Sequence, residues 1–261
     1  MSNLFWLSEA QMDRLQPHFP KTHGRPRVDA RRILSGIIFI IRNGLRWCDA
    51  PREYGPHKTL YNRFVRWSEK GIFEKLFEEL AKPNGPEADM LMIDATHLKA
   101  HRTASSLKKG ATGRLIGRTK GGMNSKLHTV GDGAGRPIRL HLTAGQRSDF
   151  KGADVLPPGL PPARVLIADR GYDSAKVRKI VEDQRIGACI PSKKNRKVPI
   201  PHCEATYKKR HKVENLFAKL KDWRRVATRY DRCPKVFLSA IALAATVMFW
   251  LCVLSLGGVC I

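Results

Sequence analysis

Two aspartates stand at the ends of apolar runs: Asp94 follows Leu91-Met92-Ile93, and Asp169 follows Leu166-Ile167-Ala168. Such runs read as buried strands, and in open α/β sheets functional groups gather just beyond the carboxyl ends of the strands. Two carboxylates displayed there converge if their strands are neighbours. A converged acidic pair calls for a cation, and hard oxygen donors favour Mg²⁺ or Mn²⁺ over softer metals. Each aspartate taken alone reads as a cap of the following turn, so the pair needs further support. Glu214 offers it. On a helical wheel Tyr207, Arg210 and Lys221 lie at about +20°, −40° and −20° from Glu214, with Val213, Leu216, Phe217, Leu220 and Trp223 on the adjacent face. The plain meaning of that stripe is an i, i+4 salt-bridge ladder. The chemical meaning is an acid that completes a metal-binding triad while Arg210, Lys221 and the phenol of Tyr207 hold phosphates beside it.

The elements that position these residues fall into two grammars. Up to about residue 85 the chain reads as helical. Ser8 caps Glu9 to Gln16, and Asp29 caps Ala30 to Arg42, which ends at Gly44. Leu60, Phe64 and Trp67 form an apolar stripe with Arg63 and Arg66 off it, and Ile72, Phe73, Leu76, Phe77 and Leu80 form another. These helices fit a helix-turn-helix-like DNA-binding module with a basic face or, equally, a dimerisation cap with a solvated one. Lys82-Pro83-Asn84-Gly85-Pro86 is a breaker cluster and divides residues 1–85 from residues 86–261. Beyond it, strands are expected at Asp89–His101, Lys126–Val130, Ile138–Thr143, Arg164–Ala168 and Ile186–Pro191, the second and third joined as a hairpin by Gly131 to Gly135. Helices are expected at Ala175–Gln184, Thr206–Arg225 and Lys235–Leu254, and the whole reads as an α/β sandwich.

Charge narrows the partners. The 261 residues carry 48 Lys and Arg against 23 Asp and Glu, a formal net charge of +25, too basic for an ordinary metabolic enzyme. A hydrophobic fraction of 42% supplies a core and argues against a disordered polycation. The excess points to nucleic acid or an anionic membrane surface. Lys108, Lys109, Arg114, Arg118, Lys120 and Lys126 lie in a Gly-rich segment read as a flexible loop tracking a DNA backbone, the alternative being a solvated loop. Lys193, Lys194, Arg196 and Lys197 form a second basic run before the Glu214 helix, and two runs flanking one acidic site favour a polyanion channel. His97, His101, His128 and His141 are read as hydrogen-bonding or DNA-facing rather than as zinc ligands. The six cysteines show no C-x-x-C pair and the start shows no secretory pattern, which predicts a reducing, cytosolic setting. Phe237 to Leu256 is apolar and long enough to span a membrane, yet its alanines suit a buried helix as well.

The stripe is also a motif, Y-x2-R-x3-E-x6-K at Tyr207, Arg210, Glu214 and Lys221, and it resembles the signature of DDE transposases from bacterial insertion sequences. Met92-Ile93-Asp94-Ala95-Thr96-His97, the stretch Ile116 to Gly122, Ser125-Lys126-Leu127-His128, the stretch Thr143 to Asp149, and Ala168-Asp169-Arg170-Gly171-Tyr172-Asp173 agree with it in order. Together they are similar to the insertion-sequence family 5 transposases over nearly the whole chain. The resemblance implies a ribonuclease-H-like catalytic domain, a mixed sheet flanked by helices, behind a small all-helical N-terminal domain. It implies that Asp94, Asp169 and Glu214, spaced by 75 and 45 residues, are the three catalytic and metal-binding acids, with Lys221 a further catalytic residue. Two Mg²⁺ ions, replaceable by Mn²⁺, are then expected to serve cleavage at transposon ends and joining of the 3′-hydroxyl to target DNA. Tyr207, Arg210, Lys126, Lys193, Lys194, Arg63 and Arg66 are the expected DNA contacts, Tyr207 not being a nucleophile. Expected partners are double-stranded DNA, as terminal inverted repeats and target, and further copies of the chain, with no membrane. The expected place is the bacterial cytoplasm, at the nucleoid. The rivals are a catalytically silent DNA-binding protein on the same scaffold, a metal-dependent nuclease without strand transfer, and a membrane-tethered basic protein resting only on Phe237 to Leu256.

Overall fold

The computed structural model describes residues 4–20, 29–82, 88–106, 113–148 and 159–251. Two compact units emerge, and no single cut separates them: residues 1–80, 101–106 and 220–261 form one, residues 81–100 and 107–219 the other.

The first unit is helical. Helix α1 (Glu9–Leu15) begins in a capping box, with the Ser8 hydroxyl accepting from the Gln11 amide and the Gln11 side chain returning to the Ser8 amide. Helix α2 (Ala30–Asn43) starts at Asp29, whose carboxylate accepts from the Arg31 amide, and stops at Gly44 in the left-handed region, φ 73°. The predicted periodicity is the buried face: Ile33, Ile37, Ile40 and Ile41 are all buried. Helices α3 (His57–Glu69) and α4 (Ile72–Leu80) bury Leu60, Phe64, Trp67, Phe73, Leu76 and Phe77. Helix α5 (Arg102–Ser105) is a single turn capped by His101, whose ring accepts from the Thr103 amide. Helices α9 (Arg224–Ala227) and α10 (Pro234–Ala245) complete the unit, and α10 runs on through a π-helical turn, Thr246–Leu251. The stretch Pro234–Leu251 has mean hydropathy 1.7 and is 72% buried, because Phe237, Ala240, Ile241 and Ala244 fill the core of this unit. Small alanines allow close helix packing, so the apolar run serves a protein interior; its residues 252–256 lie outside the described residues.

The second unit is built on a mixed sheet. Its strands are β1 (Ala88–Ala100), β2 (Gly117–Thr119), β3 (Gly122–Asp132), β4 (Pro137–Ala144), β5 (Ala163–Ala168) and β6 (Gly187–Cys189). Strand β3 pairs antiparallel with β1, β2 and β4, while β5 pairs parallel with both β1 and β6. Leu91, Ile93, Val130, Leu166 and Ala168 point to one face, where they pack with Val177 and Val181 of helix α6 (Ala175–Asp183). Helices α7 (Glu204–Lys208) and α8 (His211–Asp222) follow, and Val213, Leu216 and Phe217 of α8 are buried.

Three expectations change. The helix predicted over Thr206–Arg225 is three helices, α7, α8 and α9, interrupted at Lys209–Arg210 and at Trp223. At the first interruption the amides of Lys209, Arg210, Lys212 and Val213 bond three residues back, a tighter turn than the wheel assumed. The strand predicted over Ile186–Pro191 shortens to Gly187–Cys189, the length over which it pairs with β5. Arg118 and Lys120 do not lie in a flexible loop: β2 and β3 form a hairpin there, and cross-strand bonding overrides the glycine-rich composition. Lys108 and Lys109 lie outside the described residues.

Candidate active site

Strand register brings the two aspartates together. Met92 pairs with Ile167 and Ile93 with Ala168 in the parallel β1–β5 ladder, so Asp94, within β1 and still paired with Thr129 of β3, and Asp169, just past the end of β5, follow at the same level on neighbouring strands. Side chains alternate along a strand, so both aspartates point to the face opposite the Leu91 and Ile93 core. Asp169 also caps the following turn, Arg170–Tyr172: its Oδ1 accepts from the Gly171 amide at 2.8 Å. The capping role and the display of an acid therefore coexist in one side chain. Asp94 is 8% exposed, and its Oδ1 accepts from the Ala95 amide at 2.8 Å.

Arg210 closes the arrangement. Its Nη2 donates to Asp94 Oδ2 at 2.7 Å and its Nη1 to Glu214 Oε1 at 2.6 Å, so one guanidinium joins an acid within β1 to an acid in the first turn of α8. Burial works to lower the Arg210 pKa, but Asp94, Tyr207, Glu214 and Asp169 together raise it above the usual arginine value. Glu214 is itself exposed, its side chain 58% open to solvent. Asp169, Arg170, Pro191, His202, Tyr207 and Arg210 line an open cavity of about 370 Å³, and the rings of His202 and Tyr207 meet edge-on at 5.4 Å.

These residues suit a hard divalent cation by donor chemistry. Two carboxylates from distant parts of the chain already converge on one positive charge, and a third carboxylate stands beside them. As they stand, no group of three or more His, Cys, Asp or Glu is close enough to hold an ion among the described residues. At this site the Arg210 guanidinium bonds both Asp94 and Glu214.

The other expected contacts divide. Lys194 is exposed and Lys193 half-buried in the basic run, and Arg66 is exposed on α3. Arg63 lies over the Trp67 ring at 5.6 Å, so part of its cationic surface is already engaged. Lys126 departs from the expectation. It is 7% exposed on β3 and its ammonium donates to the Arg147 carbonyl at 2.7 Å, because its position in the ladder turns it inward. Lys221 lies on α8 but in the helical unit; it is exposed, and crowding by protein lowers its pKa from the usual lysine value. His97 and His128 are hydrogen-bonded within the fold, to the Gly145 carbonyl and the Thr143 hydroxyl.

Sequence reasoning missed Pro191 and His202, which line the cavity without belonging to any periodic pattern. It also missed the part played by Asp173, although Ala168 to Asp173 had been singled out as a stretch. The Asp173 carboxylate is 1% exposed and accepts from Arg178 Nε at 2.9 Å, Arg196 Nε and Nη2 at 3.0 Å, and the Lys193 amide at 2.8 Å. Burial raises its pKa, but the Arg196, Lys193 and Arg178 donors outweigh that and hold it well below the usual carboxylate range. The basic run is thereby tied to the turn that carries Asp169.

Residues 7–77 match the family described as "Putative transposase of IS4/5 family", and residues 85–249 match "Transposase DDE domain". A "Putative transposase for insertion sequence element IS6501" from Brucella ovis is 32% identical over 130 residues, 49% of this chain and 99% of the relative. A "Putative transposase for insertion sequence element IS402" from Burkholderia cepacia is 29% identical over 156 residues, 52% of this chain and 72% of the relative. Among solved structures, piggyBac transposase in its synaptic complex with hairpin DNA is similar with a TM-score of 0.53 and 10% identity, over 94% of this chain and 72% of that one.

Proposed function

The chain belongs to the DDE transposase family, of the IS4/5 type, and on that premise we propose that Asp94, Asp169 and Glu214 are its three catalytic acids. The protein is a DNA transposase with a ribonuclease-H-like fold and a helical N-terminal region, and membership of the family implies dependence on a divalent metal. The observation that carries the residue assignment is the convergence of Asp94 and Glu214 on one cationic group next to Asp169.

In this reading Asp94, Asp169 and Glu214 would hold two Mg²⁺ ions, with Mn²⁺ able to substitute. Divalent ions held by these three carboxylates would supply activation of a water or 3′-hydroxyl and would offset charge on the leaving oxygen. The chain's own groups do the rest. The Asp94 carboxylate accepts from the Ala95 amide of its own strand and that of Asp169 from the Gly171 amide of the following turn, so the acids are oriented before DNA arrives. Tyr207 and Arg210 line the cavity beside Asp169, and in this reading they bind phosphate oxygens, the phenol by one hydrogen bond and the guanidinium by a fork. Lys193 and Lys194 extend the basic surface along the DNA backbone, and Arg63 and Arg66 do so on the N-terminal helices. Lys221 is assigned an accessory catalytic role through its place in the Y-x2-R-x3-E-x6-K motif.

The reaction is cleavage at the ends of an insertion sequence followed by attack of the freed 3′-hydroxyl on target DNA. The working form is a homo-oligomer bridging two DNA ends, acting at the nucleoid in the bacterial cytoplasm. Residues 1–85 serve as the helical DNA-binding domain and residues 86–261 as the catalytic domain. The test is Mg²⁺-dependent cleavage of a duplex carrying the inverted repeats that flank the gene. Wild type should cut at the repeat boundary and Glu214→Gln should bind without cutting. Cleavage by Glu214→Gln at a comparable rate removes Glu214 from the triad.

A further inference from the structure

Arg210 is proposed above as a phosphate ligand, but its present contacts give it a second task. Both of its terminal nitrogens are spent on the carboxylates, Nη1 on Glu214 Oε1 and Nη2 on Asp94 Oδ2. On Asp94, Oδ1 accepts from the Ala95 amide and Oδ2 from Arg210. A monovalent guanidinium and a divalent ion cannot share those oxygens at contact distance without strong repulsion.

Two observations indicate that this pose is exchangeable. The Arg210 Nε is buried and has no hydrogen-bond partner, so the fork leaves one donor of the side chain unsatisfied. The same side chain lines the cavity formed with Asp169, Arg170 and Tyr207, which gives the guanidinium open space next to its present position.

We propose that Arg210 is the resident counter-cation of the acid site, holding Asp94 and Glu214 together in the DNA-free protein and withdrawing from them when a divalent ion binds. This rests on the reading of Asp94 and Glu214 as two of the three catalytic acids. The consequence is an ordered exchange. Without metal, Arg210 cancels the repulsion between converged carboxylates and is withheld from phosphate. With metal, the same guanidinium is released into the cavity, where a DNA phosphate can take up its fork. Metal loading and phosphate binding are thereby coupled through one side chain, and the coupling is reciprocal.

The test is Mn²⁺ binding to the full chain without DNA, followed through the electron paramagnetic resonance signal of the free ion. Wild type is compared with Arg210→Gln, Arg210→Lys and Asp94→Asn. Arg210→Gln should bind Mn²⁺ about tenfold more tightly than wild type or better, since a charge-assisted contact no longer has to be broken. Arg210→Lys keeps the charge but loses the fork, and should tighten binding by about threefold, carrying the test if the glutamine variant does not fold. Equal or weaker Mn²⁺ binding in the folded Arg210 variants, with binding still lost in Asp94→Asn, overturns the counter-cation role while leaving the acid assignment intact. Mn²⁺ binding that is indifferent to Asp94→Asn overturns the acid assignment itself, and the counter-cation role with it.

Discussion

Asp173→Ala is expected to open the segment that carries the basic run. The carboxylate is 1% exposed and collects four donors: Arg178 Nε, Arg196 Nε and Nη2, and the Lys193 amide. Removing one partner of a buried ion pair costs about 3–5 kcal/mol, because the remaining charge is stranded. Arg178 and Arg196 are 12% and 23% exposed, so water reaches both in part. The lower end, about 3 kcal/mol, is therefore expected, equivalent to roughly a hundredfold more frequent opening of this segment. Hydrogen exchange at the Lys193 amide reads it directly, since that N–H bonds to Asp173. Asp173→Asn keeps the volume and one acceptor and should lose about half as much. The depressed pKa of Asp173 adds a pH signature. Its contribution is complete above the unfolded aspartate value of about 3.9 and fades as pH falls through the lower folded value, a dependence absent from Asp173→Asn. Lys193 exchange in Asp173→Ala within about threefold of wild type would refute the buried clamp.

Two further outcomes follow from the same geometry. Replacing Lys193 and Lys194 by alanine should reduce the salt slope of DNA binding by about two units, one per phosphate contact, and weaken binding alike on specific and unrelated duplexes. An unchanged slope returns both to ordinary surface lysines. Gly36→Ala in α2 should destabilise the protein by about 1–3 kcal/mol, because the new Cβ would lie 2.6 Å from Tyr54 Cβ, and Tyr54 is fully buried with its hydroxyl on the Phe5 carbonyl. Helix propensity alone predicts the opposite sign, a gain of about 1 kcal/mol, so a thermal melt shifted upward would show that Tyr54 yields.

Much of this molecule is legible in short stretches of chain. Asp29 and Gly44 mark the ends of α2 because a cap and a left-handed glycine act within one turn. Leu166-Ile167-Ala168-Asp169 announces a strand end because a buried strand must be apolar until it leaves the sheet, whereas β1 runs on past Asp94 to Ala100. The helical wheel placed Arg210 and Glu214 side by side correctly, since i and i+4 remain neighbours even where α7 gives way to α8.

Periodicity reports which way a residue faces along its own element and carries no information about which element lies across from it. Whether β1 and β5 are neighbours, and so whether Asp94 meets Asp169, is decided by strand pairing. Lys126 looked like a DNA contact by composition, but the β3 register turned it inward to the Arg147 carbonyl. Asp173 and Arg196 are 23 residues apart, and Asp94 and Arg210 are 116 apart; no local pattern links either pair. The sequence by itself singled out Asp94, Asp169 and Glu214 as candidate acids and the apolar runs and helical stripe on which they lie. Only the tertiary structure decided that Arg210 spans Asp94 and Glu214 and that Asp173 anchors the basic run, because those contacts exist only once distant segments have packed and excluded the water that would otherwise solvate each charge alone.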